Sequence, residues 1–140
     1  MCDEARGIGS VLVADDDRCS AFVAREQRPA NRGQVLVVTR DHHADLYDAP
    51  PDIVAHLFTV VRQVAWAVQE ATGADGTTIH QNNRPPGQEV FHLHVHVFPR
   101  FHGDAFSTSI PEPVDLVARQ AIADRIVEVL ASDEPGQSNT

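Results

Sequence analysis

Two short apolar runs, Val11 to Ala14 and Ser20 to Ala24, flank the acidic stretch Asp15-Asp16-Asp17-Arg18. This reads as two strands of a hairpin joined by a turn. Beyond a polar stretch holding Pro29 and Gly33, Val35-Leu36-Val37-Val38 is continuous and largely β-branched, the pattern of a strand covered on both faces and central in its sheet. Asp52, after Pro50-Pro51, offers a helix cap, and Ile53, Leu57, Val60, Val61, Val64 and Val68 then recur at three- and four-residue spacing. That spacing predicts one long amphipathic helix over Asp52 to Ala71, stopped at Gly73, with Trp66 as a packing residue. Thr77 to Gln81 is a short strand, Asn82 to Gly87 a loop with two prolines and a glycine, and Glu89 to Phe98 alternates as a strand. Pro111 and Pro113 introduce a second helix, Val114 to Leu130, with Val114, Val117, Ala121, Ile126 and Leu130 toward one face. Ser132 to Thr140 reads as a disordered polar tail. Strands, then a helix, then strands, then a helix predict an α+β fold around an antiparallel sheet.

The chain has 140 residues, the size of a single domain, taken as residues 1–131 followed by the tail 132–140. Its formal net charge of −9 excludes general nucleic-acid binding, which needs basic surfaces to displace counterions from phosphates. A small phosphate-bearing molecule remains compatible, provided that a few Arg, His and backbone N–H groups build a locally positive pocket. The two cysteines, Cys2 and Cys19, give no disulfide framework and are expected as free thiols. No stretch approaches the roughly 18 to 20 consecutive apolar residues of a membrane span, and Met1-Cys2-Asp3-Glu4 does not open a signal sequence, so a cytoplasmic protein without membrane association is expected.

The chemistry concentrates in Phe91-His92-Leu93-His94-Val95-His96-Val97-Phe98. Side chains of an extended segment alternate between faces, so His92, His94 and His96 share one face while Leu93, Val95 and Val97 anchor the other. Imidazoles repeated at about 7 Å repel one another when protonated, so at least one is neutral and available as a nucleophile. The residues alone leave three readings: a merely polar sheet face, a zinc, copper or iron site built from the three histidines, or a central nucleophile flanked by groups that bind phosphate and serve the leaving group.

The segment matches the His-x-His-x-His signature of the histidine-triad (HIT) nucleotide hydrolase and transferase family, and its flanks agree. Gly87-Gln88-Glu89-Val90-Phe91 before it and Phe98-Pro99-Arg100 and Gly103-Asp104-Ala105-Phe106 after it resemble the bacterial and fragile-histidine-triad branches. So do Ala21-Phe22 through Arg28-Pro29, Gly33-Gln34-Val35-Leu36-Val37, and Arg40-Asp41-His42 to Leu46. The likeness covers residues 11–106. It implies a HIT-like fold of about five antiparallel strands with one long central helix and a C-terminal helix over 114–130.

The resemblance further implies that His94 attacks an α-phosphate to form a nucleotidyl-histidine. His92 and His96 would orient His94 and bind phosphate oxygens as cations, with His96 near the leaving group. Gln81 is implied as a phosphate contact, Gly87, Gln88, Glu89 and Val90 as a backbone cradle for phosphate, Glu26 as a partner of ribose hydroxyls, and Arg100 as positive charge near the triad. The ordinary alternatives are an exposed loop amide for Gln81, a solvated carboxylate for Glu26 and a surface salt bridge for Arg100. Substrates implied are a purine nucleoside phosphoramidate, an adenylate ester, or a dinucleoside polyphosphate such as diadenosine tetraphosphate, turned over without a cofactor by a homodimer. A non-catalytic purine-nucleotide-binding module and a metal-binding protein are the alternatives. Two departures stand out. Cys2 is followed three residues later by Ala5 rather than by a second cysteine, so no structural zinc is expected although His42 matches a zinc-ligand position. Gln34 stands where the family has a fourth histidine.

Overall fold

The computed structural model describes residues 10–132, so the expectations for Cys2 and for the tail beyond Ser132 lie outside the described residues. The order is β1 (Leu12–Asp15), β2 (Cys19–Val23), β3 (Glu26–Gln27), β4 (Val35–Thr39), helix α1 (Pro51–Thr72), β5 (Gly76–His80), β6 (His94–Arg100), a 3-10 turn (Phe106–Thr108), β7 (Glu112–Pro113) and helix α2 (Leu116–Leu130). Five strands form one antiparallel sheet in the order β1-β2-β4-β6-β5. The Val35-to-Val38 run is therefore central, as its continuous apolar pattern predicts.

Both helices cover the same face of this sheet. Leu57, Val64 and Val68 of α1 and Ile126 of α2 are fully buried against Ala21, Val35, Val37, Val95 and Val97, each large aliphatic side chain contributing about 1.5–3 kcal/mol on burial. The opposite face carries only a small apolar group, Phe22 and Val38 with Leu12 and Leu36 beside them. His94 and His96 project from that face. Leu93, Val95 and Val97 are fully buried, so their side of the alternation seats the segment in the core.

The starts of both helices and of the triad strand differ from the sequence expectation. Helix α1 starts one residue earlier, with Pro50 as its N-cap and Pro51 in the first turn, where proline's fixed φ suits the position and its missing N–H costs nothing. Asp52 lies in that first turn rather than capping it. Helix α2 begins at Leu116, capped by Asp115, whose carboxylate accepts from the Ala118 N–H at 2.8 Å. Its buried face is Ile122, Ala123 and Ile126, whereas Val117 is 81% exposed and Ala121 is also exposed. Val114 is buried, but ahead of the helix, where its N–H donates to the Arg25 carbonyl. The triad strand starts at His94 rather than Glu89, and this decides the geometry of the triad.

Candidate active site

Strand β6 pairs with β4 from Val97 opposite Val35 to His94 opposite Val38, and there the ladder ends. Residue 93 still bonds back to the chain through the Leu93 N–H and the His43 carbonyl at 2.7 Å, but His92 has left the strand. The residue is 2% exposed and its ring turns toward Thr39, to whose carbonyl Nε2 donates at 2.6 Å. The His42 ring meets it edge to face at 5.2 Å. The three imidazoles therefore do not share a face: His94 and His96 remain together, 4.9 Å between ring centres, while His92 points into the protein. A metal held by all three, one of the sequence alternatives, is incompatible with this arrangement.

What His92 offers His94 is its backbone carbonyl, which accepts a hydrogen bond from His94 Nδ1 at 2.6 Å. A carbonyl only accepts, so Nδ1 carries the proton and the lone pair of the neutral ring sits on Nε2. His96 is fixed the opposite way. The amide nitrogen of Gln34, a residue 7% exposed, donates to His96 Nδ1 at 2.9 Å. That places the proton of the neutral ring on Nε2. The adjacent imidazoles thus present one acceptor and one donor.

Gln34 itself is held by Gln27, which is fully buried and makes four hydrogen bonds. Its Oε1 accepts from the N–H groups of Gly33 and Gln34 at 3.0 and 2.9 Å, and its Nε2 donates to the carbonyls of Ala24 and Gln34. Gln27 was not singled out by the sequence, because a buried amide leaves no periodic trace.

Burial, then the neighbouring His94, His80 and Arg28, pushes the His96 imidazole down to about 4. Burial likewise lowers His92, against its bond to Thr39, with His42 adding to the lowering. In the ligand-free site burial therefore favours the neutral form of both rings, against the expectation that they act as cations. Behind His96 the ring of Phe98 is stacked at 5.7 Å and nearly parallel, limiting rotation of the imidazole.

His94 and His96 line two cavities. The larger, about 590 Å³, has Phe22, Leu36 and Phe98 as its apolar side and Arg25, Glu26, Arg28 and Gln34 as polar groups. A cavity of this size, mostly apolar with a few convergent polar groups, is what a nucleoside needs. The smaller, about 250 Å³, is walled by the loop residues Asn82, Gly87, Gln88, Glu89 and Val90. Glu89 and Val90 line both.

The sequence-predicted residues separate accordingly. Glu26 and Glu89, with Val90 and Gly87, are at the cavities. Gln88 is at the small cavity, but its side chain braces the loop: Oε1 accepts from the Arg84 N–H at 2.6 Å and Nε2 donates to the carbonyls of Ala44 and Val90. Gln81 exchanges hydrogen bonds with Asn83 at 2.9 Å in both directions and lines neither cavity. Arg100 lines neither cavity and is committed to Asp104 at 2.8 and 3.2 Å and to Thr78 at 3.0 Å, so the salt-bridge alternative is the one observed. Arg28, to which the sequence assigned no role, lines the large cavity. Its guanidinium lies 4.6 Å from the Phe106 ring centre and donates to the Ser109 carbonyl at 2.6 Å.

The HIT domain pattern matches residues 5–103. An uncharacterized HIT-like protein of Saccharolobus solfataricus is 36% identical over 94 residues, 66% of this chain and 66% of that protein. Adenylylsulfatase HINT3 of Arabidopsis thaliana is 31% identical over 111 residues, 78% of this chain and 55% of that protein, so the chain spans little more than half of that relative. A Hit-like protein of Bartonella henselae superposes with a TM-score of 0.79 at 29% identity, covering 91% of this chain and 92% of its own. A Zn-bound histidine triad family protein of Mycobacterium smegmatis does so at 0.78 and 32% identity, covering 93% and 91%. Among the described residues no group of three or more His, Cys, Asp or Glu side chains is close enough to hold a metal ion, and His42 with His92 supplies only a pair. No helix among them is long and apolar enough to cross a membrane. With the family pattern over residues 5–103 and the same fold as solved members, the chain belongs to the HIT family, whose members include nucleotide-binding proteins and hydrolases.

Proposed function

We propose that this protein cleaves at the α-phosphate of a purine nucleotide derivative, a phosphoramidate, adenylate or dinucleoside polyphosphate, through a covalent nucleotidyl-His94. The observation that supports this most is the tautomer of His94. With Nδ1–H held by the His92 carbonyl at 2.6 Å, the Nε2 lone pair is unoccupied on a ring that borders both cavities. In the first step Nε2 bonds to phosphorus as the bond to the leaving group breaks, its electron pair going to the departing atom. The imidazole becomes cationic, and the carbonyl on Nδ1–H stabilises that charge. In the second step water attacks phosphorus, the N–P bond breaks with its electrons returning to Nε2, and the water's proton passes to solvent. His96, neutral with its proton on Nε2, donates a hydrogen bond to a phosphate oxygen.

The nucleoside half lies in the large cavity, its base against Phe22 and Leu36 and its ribose near the Glu26 carboxylate, an acceptor suited to a diol. The leaving group lies in the small cavity beside Gly87 to Val90. We take the functional unit as a homodimer; among the described residues β5 leaves a sheet edge unpaired, with Ile79 39% exposed on it, and an open edge with an apolar side chain favours pairing.

The test is product analysis on wild type and His94→Ala with an adenosine phosphoramidate, adenylated lysine and diadenosine tetraphosphate. Release of a nucleoside monophosphate by wild type alone supports the reading. Tight nucleotide binding without product in either protein replaces it with the non-catalytic binding module.

A further inference from the structure

The two cavities at His94 and His96 differ in charge. The larger contains Arg25 and Arg28 as well as Glu26 and Glu89; the smaller contains no Lys or Arg, and its one ionisable group besides the two imidazoles is Glu89. His96 does not supply positive charge there, since burial among its neighbours pushes its imidazole down to about 4. Glu89 is exposed and makes no hydrogen bond or ion pair with another described residue. The smaller cavity thus has an unpaired carboxylate among the described residues, and no Lys or Arg lines it to offset a second anion.

Resting on the proposed reading of the site, we propose that Glu89 determines the leaving group. Its carboxylate admits one that departs as an amine, and disfavours polyphosphate and sulfate. A carboxylate only accepts hydrogen bonds. The bridging nitrogen of a phosphoramidate carries an N–H that donates to it, whereas the bridging oxygen of an anhydride has no hydrogen to offer. A polyphosphate would also bring further negative charges within a few ångströms of Glu89, where like charges are repulsive and the partly enclosed site screens them less than water does. In the favoured reaction His94 Nε2 forms the new N–P bond, the substrate's P–N bond breaks with its electron pair on the departing nitrogen, and that nitrogen takes one proton from solvent and leaves as an amine.

The experiment compares kcat/KM for three substrates that share the same adenylate half: an adenosine N-alkyl phosphoramidate, adenylyl sulfate and diadenosine tetraphosphate. It uses the full chain as wild type and as Glu89→Gln, an exposed and nearly isosteric change whose folding is checked by its thermal midpoint. Wild type is expected to favour the phosphoramidate over both anionic leaving groups, and Glu89→Gln to narrow that preference about tenfold or more, with the anionic substrates gaining. Raising the ionic strength should narrow the wild-type preference in the same direction. A wild type that prefers tetraphosphate or sulfate, or a preference unchanged in Glu89→Gln, overturns the role of Glu89 and leaves the nucleotidyl-histidine reading standing. No product from any of the three in wild type overturns both.

Discussion

The two ends of strand β6 carry similar numbers of polar groups and use them in opposite ways. At the Arg100 end the Arg100 and Asp104 side chains are committed to internal partners. The guanidinium bonds Asp104 twice and Thr78 once, and Asp104 also accepts from Asn31 Nδ2 at 2.7 Å, the Phe101 N–H at 3.0 Å and the Phe106 N–H at 3.2 Å. Arg100 beside it holds the Asp104 carboxyl well below the usual carboxylate range. The Arg28 and Arg100 guanidiniums both lie over the Phe106 ring, 4.6 and 4.3 Å from its centre. At the His94 end one nitrogen of the His94 ring and one of the His96 ring is fixed from behind, and the other faces the cavities. Saturated polar groups hold a structure together, and pre-oriented groups with one valence left over bind and react.

If this contrast is right, substitutions at the two ends separate activity from stability. The largest effect is expected from His94→Ala: turnover should fall by about a thousandfold or more with the thermal midpoint unchanged. A fall in the midpoint to match would place His94 with the structural groups instead.

Next comes Gln34→Leu, which removes the donor to His96 Nδ1 and frees that ring to take either tautomer. We expect kcat to drop about tenfold, the size of one positioning hydrogen bond near a charge, with an altered pH profile. Gln34→His, which restores a ring N–H at the same place, should recover most of the loss. Equal loss in both variants would assign Gln34 to packing alone.

At the other end Asp104→Asn and Arg100→Gln should lower the thermal midpoint, the aspartate more, while kcat/KM per folded molecule stays within about threefold. A selective collapse of activity in Arg100→Gln, with the midpoint kept, would return Arg100 to the catalytic set.

The smallest effect is the pH dependence of stability. The folded pKa of His96, about 4, lies below the ordinary value of about 6.5. The unfolded chain therefore binds more protons between these values, and stability rises with pH across the window. It is fully present above about pH 6.5 and lost as pH falls toward 4; His92, shifted in the same direction, adds to it. Denaturation midpoints for wild type and His96→Asn at pH 4.5 and 7.5 should show a smaller acid loss in the variant.

Much of the fold was legible because hydrophobic period is a local property. The hairpin around Asp16, the Val35-to-Val38 strand and the α1 stripe through Leu57, Val61, Val64 and Val68 all appear where the pattern puts them. The α2 face was misassigned because its pattern is weak: Val117 is apolar but near a helix start that turns it outward, and Ile122 and Ala123 take the buried face instead. The two-residue β3–β7 pairing of Glu26 with Pro113 and Gln27 with Glu112 is too short to leave any period, yet it places Glu26 beside the large cavity.

The sequence by itself determined the chemistry available to this protein: alternation fixes which side chains stand on opposite faces of a strand, and three histidines with that spacing can be counted without coordinates. Only the tertiary structure decided which of those groups are spent. Gln34 reaches His96 across 62 residues, His92 reaches Thr39 across 53 and Asn31 reaches Asp104 across 73. A side chain's free valences depend on partners brought together by the folded sheet, and no local pattern encodes them.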